Sequence, residues 1–200
     1  MKTIDMIIKS STKFYNDLKA DEHDRYRSWE HCYSHFMTAR KENDVNIDYL
    51  SLQLAFYLAS WGMYRGSSFL LQKDYRVHIP VVREILSNKY DSLAGIECKD
   101  FKNETNQKLL KEINEFIANY YDVIRREVRG TELKNNLSDT LITKILMGTL
   151  GCVPAYDRYF VTGIRSQKIA SGSYNIKSIL QLVDFYEKNI EQLDLVQKKF

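Results

Sequence analysis

Apolar residues recur at helical spacing along most of the chain, and the clearest pattern lies between residues 105 and 128. Side chains three, four and seven positions apart share one face of an α-helix, so this stretch predicts a long amphipathic helix. Gly130 follows three arginines and is suited to end it. The apolar positions are Leu109, Leu110, Ile113, Phe116, Ile117, Tyr120, Tyr121, Ile124 and Val128.

Shorter patterns predict further helices, giving an all-α fold of about seven to eight helices. We expect helices over 3–18 with a break near 10–11, within 25–40, from about 46 into 61–64, after Pro80, over 139–150, after Pro154 and after Asn175. The third of these is apolar on nearly all faces, which predicts a central position in the bundle. The polar stretch 88–104 has no clear period and predicts a loop or lobe connection. Two prolines and eight glycines in 200 residues agree with a single helical domain over 1–200.

The charge is distributed unevenly along the chain, although the net charge is only +3. Residues 61–90 carry five basic and two acidic side chains, and residues 125–170 carry eight and four. If the fold brings these segments together, they form one basic face of the kind that attracts nucleic-acid backbones. The alternative is that these charges are scattered and solvated.

Within the first basic segment, Gly62 and Gly66 lie on either side of Arg65 in an otherwise helical pattern. Glycine at such positions allows close approach of another helix or of a ligand. For a ligand, we expect a phosphate-facing surface with aromatic rings that stack on bases. The residues that would form it are Trp61, Tyr64, Arg65, Ser67, Ser68, Lys73 and Arg76.

The stretch 141–160 is an apolar helix with Lys144 that breaks at two glycines and restarts at Pro154. Asp157 would then lie in the first turn of the next helix, where exposed backbone N–H groups stabilise a carboxylate. Helix stabilisation, with an ion pair to Arg158 or a neighbouring arginine, is one interpretation of Asp157.

A second interpretation comes from a resemblance to the second half of helix-hairpin-helix DNA glycosylases. The matching residues are Lys144, Pro154, Asp157 and Arg165, although NLSDTLITK stands where that family has its Leu-Pro-Gly-x-Gly signature. The resemblance implies a catalytic aspartate at Asp157 and a nucleophilic lysine at Lys144. It also implies DNA contacts, for which Arg158 and Arg165 are candidates.

Arg25 and His31 give a third, separate hypothesis. Their spacing resembles the Arg-x4–6-His pattern of HEPN ribonucleases, which are all-α, and this resemblance implies metal-free RNA cleavage at a dimer cleft. His31 and His35 also have the spacing of two metal ligands on a helix, but no third ligand follows at motif spacing, so we expect no metal. A partly exposed helix with polar margins explains the same residues.

Three widely spaced cysteines, no signal-peptide pattern and no apolar run long enough to span a bilayer favour a reduced, cytoplasmic protein with no membrane contact. We expect no cofactor. The whole chain also resembles a family of bacterial hypothetical proteins, a resemblance that implies no particular activity. Three functions remain open: a DNA-binding or DNA-processing protein, a HEPN-like ribonuclease, and a non-enzymatic module that binds a protein partner or a second copy of itself.

Overall fold

The computed structural model describes residues 3–130 and 137–198, and these residues form helices and turns without any β-strand. The predicted all-α class is therefore confirmed. The described residues contain nine α-helices rather than seven to eight, because the C-terminal pattern is divided at Asn189 into two helices. Their bounds are α1 Thr3–Ala20, α2 Ser28–Ala39, α3 Ile47–Ser60, α4 Ile79–Ile85, α5 Glu104–Arg129, α6 Asp139–Thr149, α7 Arg158–Ser166, α8 Ile176–Lys188 and α9 Ile190–Gln197.

Several connections are short 3₁₀ helices rather than open loops. Arg25–Arg27 leads into α2, and the segments Phe69–Gln72 and Tyr75–His78 lie between α3 and α4. The stretch without a clear period contains two more, Asn88–Leu93 and Cys98–Lys102, which pack against α5. Their buried side chains, Tyr90, Leu93 and Phe101, hold this connection against the rest of the protein.

A side-chain N-cap begins each of the helices α3, α6 and α8. Asn46 accepts a 2.9 Å hydrogen bond from the Tyr49 N–H, Asn175 accepts one from Ser178, and Ser138 accepts one from Leu141. Each satisfies a backbone donor that has no partner within its own helix. α1 is continuous through residues 10 and 11, so the expected break there is absent.

Gly62 ends α3 instead of lying inside a longer helix, which corrects the expectation of a glycine pair within a helical segment. Its φ of 77° is left-handed. The Gly62 N–H bonds to the Ala59 carbonyl and the Met63 N–H to the Leu58 carbonyl, the two bonds of a Schellman motif. The residues after it are therefore free to turn back along the protein.

The core lies between α2, α3, α4, α5 and α6, and α2 packs on both α3 and α6. α3 is not buried all round, contrary to expectation, because Leu52 and Phe56 are 47% and 63% exposed. Its other face supplies large, fully buried side chains. Those from α3 and its neighbours include Phe36, Leu54, Tyr57, Leu58, Ile85, Leu110, Ile113 and Ile117.

Tyr57 is the contact that fixes α3 against α6. Its ring lies over Gly148, where a Cβ would approach Tyr57 Cε1 to 2.5 Å. Its hydroxyl donates a 3.0 Å hydrogen bond to the carbonyl of Lys144. Gly148 is thus required for close helix packing beneath Lys144, whereas the sequence indicated a helix break at this glycine and at Gly151.

A further group of buried polar side chains in the core forms hydrogen bonds. Tyr64 and Tyr121 hydrogen-bond to the two ring nitrogens of His78, which is fully buried. Burial lowers the pKa of His78 to about 3 and raises that of Tyr64 to about 12. This imidazole is neutral and structural.

Cys32, Cys98 and Cys152 are all unpaired thiols. Among the helices described, none has the length and hydrophobicity needed to cross a lipid bilayer.

Candidate nucleic-acid interface

Lys144 lies at the centre of the candidate interface. Its side chain belongs to α6 and is only 6% exposed. The ammonium donates a 2.8 Å hydrogen bond to the main-chain carbonyl of Trp61, and Nζ lies 5.6 Å from the centroid of the indole ring. Lys144 is therefore held against the C-terminal end of α3 by a hydrogen bond and a cation–π contact.

Three further charged side chains, from three different parts of the chain, influence the charge of this lysine. Burial lowers the pKa of Lys144, and the positive charges of Arg65 and Arg25 lower it further, whereas the carboxylate of Asp157 acts in the opposite direction. Such effects require proximity.

Contacts place the same residues near Trp61: Arg25 lies over Tyr26, whose ring meets Trp61 at 5.3 Å, and the Arg65 side chain packs against Gly62. The backbone N–H of Tyr156, which precedes Asp157, donates a 2.8 Å hydrogen bond to the hydroxyl of Thr143 beside Lys144. We call Arg25, Arg65 and Lys144 the basic cluster, and Asp157 lies beside it.

Asp157 does not lie in the first turn of α7 as predicted, because the helix begins at Arg158 rather than at Pro154. Asp157 is instead the N-cap, and its Oδ1 accepts 3.0 Å hydrogen bonds from the N–H groups of Tyr159 and Phe160. Its role as a helix stabiliser is therefore visible in the fold. Lys144 donates to the Trp61 carbonyl rather than to this carboxylate.

The Arg25 side chain lies over an aromatic surface. Its guanidinium carbon is 4.7 Å from the centroid of the Tyr26 ring, and Nη2 donates a 2.8 Å hydrogen bond to the Tyr26 hydroxyl. The Tyr26 ring in turn meets Trp61 edge to face at 5.3 Å and Phe14 at 6.0 Å. Tyr26 and Trp61 are half-buried, whereas Arg25 is exposed.

Arg158 and Tyr159 repeat this arrangement at the start of α7. The guanidinium carbon of Arg158 is 4.9 Å from the Tyr159 ring centroid, and Nη2 donates a 3.0 Å hydrogen bond to the hydroxyl. Tyr159 is 75% exposed. Residues 24–26 and 157–159 have the same sequence, Asp-Arg-Tyr, and in both the aspartate accepts a hydrogen bond from the tyrosine N–H, at 2.8 and 3.0 Å. We call these two segments the DRY caps.

The two basic segments of the sequence do meet in space. Arg129 donates a hydrogen bond to the Ser67 carbonyl, and Lys73 forms a 3.7 Å ion pair with Glu127. Lys144 and the Trp61 carbonyl form a third contact between them. Part of the positive charge is neutralised where the segments join.

The other predicted nucleic-acid contacts divide between exposed and structural positions. Tyr64 is half-buried and its hydroxyl hydrogen-bonds to His78 at 2.6 Å, so its role in base stacking stays a prediction. Ser68 caps the 3₁₀ helix Phe69–Gln72. Arg76 is exposed but lies 3.4 Å from an oxygen of Asp48. Arg165 is exposed, and its Nε donates to the Ser171 carbonyl across the loop that follows α7.

Arg25 and His31 are not joined by a hydrogen bond or ion pair within the described chain. Arg25 belongs to the 3₁₀ helix before α2, and His31 is exposed on α2. His35, one turn further on, hydrogen-bonds to the Tyr49 hydroxyl at 3.1 Å. Residues 3–130 and 137–198 contain no group of three His, Cys, Asp or Glu side chains placed to hold a metal ion.

Sequence reasoning missed Tyr26, Tyr159 and Phe14 as members of the interface. The repeated Asp-Arg-Tyr tripeptide was the available signal. An aspartate that caps a helix fixes the backbone of the residues that follow it. Here the next two side chains, an arginine and a tyrosine, lie together on the surface of the protein.

Comparison with known proteins gives one relative. The chain is 24% identical over 145 residues to a chromosomal replication initiator protein DnaA from Mycoplasma mycoides, covering 72% of this chain and 54% of that protein. The chain thus spans about half the length of the curated relative that it matches. No protein-family model matches the sequence. No solved structure matches it either.

Proposed function

We propose that this protein binds DNA through the basic cluster and the adjacent arginine of the second DRY cap. The observation that carries the proposal is that Arg25, Arg65 and Lys144, from three separate elements, lie around Trp61. Arg25 lies over Tyr26, which meets Trp61, Arg65 packs against Gly62, and Lys144 donates to the Trp61 carbonyl. Like charges that lie close together repel each other, and an anionic ligand that binds among them relieves this repulsion. Phosphate groups carry negative charge, and the side chains of Arg25 and Arg65 are exposed and can reach them.

Two observations besides the positive charge favour DNA as the ligand. Aromatic rings lie next to the arginines, as nucleic-acid-binding surfaces commonly require. The similarity to a chromosomal replication initiator protein favours a ligand encountered during replication.

The direct test is binding of labelled single- and double-stranded DNA at about 50 and 200 mM salt. We expect binding that weakens steeply with salt, and weaker binding by the Arg65→Gln variant at the lower concentration. Lys99→Gln removes the same charge from an exposed residue between α4 and α5 and should bind as the wild type does. Absence of DNA binding at the lower salt concentration would contradict the proposal.

A second candidate function is DNA processing of the kind implied by the resemblance to helix-hairpin-helix glycosylases. It is favoured by the burial of Lys144, because a lowered pKa increases the neutral fraction of an amine and only the neutral amine is nucleophilic. Asp157 follows Tyr156, whose backbone N–H donates a 2.8 Å hydrogen bond to Thr143 beside Lys144. For this chemistry, the Lys144 amine must first leave the Trp61 carbonyl. Cleavage of DNA at modified bases, lost in Asp157→Asn and in Lys144→Met, would establish this function.

A further inference from the structure

The two DRY caps share a set of contacts, although the first begins a 3₁₀ helix and the second begins α7, and both adjoin the basic cluster. In each, the aspartate accepts a hydrogen bond from the tyrosine N–H, and the arginine guanidinium lies over the tyrosine ring and donates a hydrogen bond to its hydroxyl. Trp61 meets the Tyr26 ring of the first cap at 5.3 Å and accepts the hydrogen bond of Lys144. On the other side, the backbone N–H of Tyr156, which precedes the second cap, donates a 2.8 Å hydrogen bond to Thr143, the residue before Lys144. The caps therefore flank one site.

The exposed parts of the two caps offer flat surfaces with positive charge beside them. In the first, Tyr26 is half-buried against Trp61 and Phe14, so Arg25 lies outermost. In the second, Tyr159 is 75% exposed and the ring itself is available. Guanidinium planes and aromatic rings are the two protein surfaces on which unpaired bases stack.

We propose, building on the DNA-binding function above, that the site selects single-stranded nucleic acid. Bases stack on the Tyr159 ring and on the Arg25 guanidinium, and the phosphates between them contact Arg65 and Arg158. A duplex binds less well because its bases are already stacked on each other and offer their faces only at the ends. Stacking on a ring does not depend on base identity, so little sequence preference is expected.

The test compares a labelled thymidine oligonucleotide, its duplex with the complementary strand, and the matching uridine RNA, by fluorescence anisotropy at about 50 mM salt. We expect the single strand to bind about tenfold more tightly than the duplex. The RNA measurement distinguishes single-stranded DNA from single-stranded RNA as the ligand. Equal affinity for the two would mean that the protein makes no specific contact with the 2′-hydroxyl.

Three variants separate stacking from charge and from stability. Tyr159→Leu should weaken single-strand binding about tenfold and leave duplex binding nearly unchanged. Tyr159→Phe keeps the ring and should bind as the wild type does. Tyr49→Leu removes another exposed tyrosine, ~18 Å along the α3 axis from Trp61, and should also have no effect. Because Tyr159 is so exposed, its substitution should not unfold the protein, which circular dichroism checks.

Two different results would overturn the proposals, and they can be told apart. If duplex binds as tightly as single strand, or if Tyr159→Leu binds single strand normally, selection by stacking is wrong while salt-sensitive DNA binding still stands. If neither DNA nor RNA binds, both the DNA-binding function and the single-strand preference are wrong. The basic cluster would then have to serve an acidic protein partner.

Discussion

The ammonium group of Lys144 donates a 2.8 Å hydrogen bond to the carbonyl oxygen of Trp61, 83 residues earlier in the chain. This bond joins the middle of α6 to Trp61, the C-cap residue of α3. Trp61 immediately precedes the left-handed Gly62, so the lysine helps to fix the turn from which Arg65 extends. The position of the basic cluster therefore depends on a buried contact as well as on surface charge.

Replacement of Lys144 by methionine should test that contact. The variant keeps most of the buried aliphatic volume but leaves the Trp61 carbonyl without this donor, which should cost about 1 to 2 kcal/mol in the free energy of unfolding. Urea denaturation measures the loss. Lys111→Met, at an exposed position on α5, should change stability by less than about 0.5 kcal/mol. Equal stability of the two variants would mean that the hydrogen bond contributes little.

Gly148→Ala should be strongly destabilising although alanine favours helices. The new methyl group would lie 2.5 Å from the Tyr57 ring, so either α3 or α6 must shift, at a cost of about 1 to 3 kcal/mol. Gly163→Ala is the matched control, because nothing lies within 4 Å of its added methyl group on α7. That variant should be more stable than the wild type by about 0.5 to 1 kcal/mol. Thermal denaturation that ranks the two variants in the opposite order would contradict the packing described.

Two substitutions of Asp157 separate its capping role from any catalytic one. Asp157→Ala removes the acceptor of two backbone N–H groups and should cost about 1 kcal/mol in the free energy of unfolding. Asp157→Asn keeps a capping oxygen and should retain nearly all of the stability. If a DNA-processing activity exists and requires the carboxylate, Asp157→Asn should lose it while remaining folded. An asparagine variant as unstable as the alanine variant would contradict the capping geometry.

His78 should make stability depend on pH below neutrality. Its pKa is about 3 in the folded protein and about 6.5 when the chain is unfolded. The unfolded state therefore binds the extra proton first, and stability that is complete above pH 6.5 is lost as the pH falls toward 3, by up to about 1.4 kcal/mol per pH unit. Urea denaturation between pH 4 and 7 measures this slope. His78→Gln should be less stable at pH 7 but should have a shallower slope, and an unchanged slope would show that other groups cause it.

The helices could be predicted from the sequence because apolar spacing and capping residues are local. The amphipathic pattern of α5 and the caps at Asn46, Ser138 and Asn175 needed no tertiary information. The end of α3 was not predicted, because a glycine in a helical pattern can either allow close helix packing or end the helix. Only the left-handed φ of Gly62 shows that the helix ends there.

The candidate site was harder to predict because its members are distant in sequence. Arg25, Arg65, Lys144 and Asp157 were each recognised, but as parts of different hypotheses, and the fold brings them together. Tyr64 was predicted to stack on bases because it is an aromatic residue next to an arginine, but in the structure its hydroxyl hydrogen-bonds to buried His78. The DRY caps could have been found by comparing residues 24–26 with 157–159.

The salt dependence of DNA affinity tests the central claim most directly. The slope of the logarithm of affinity against the logarithm of salt concentration reports how many phosphate charges the protein neutralises. The double variant Arg65→Gln/Arg158→Gln should reduce this slope by about two, whereas Lys99→Gln/Lys111→Gln, which removes two exposed charges elsewhere, should leave it unchanged. Equal slopes for the wild type and both double variants would contradict phosphate binding by the basic cluster and the adjacent arginine of the second DRY cap.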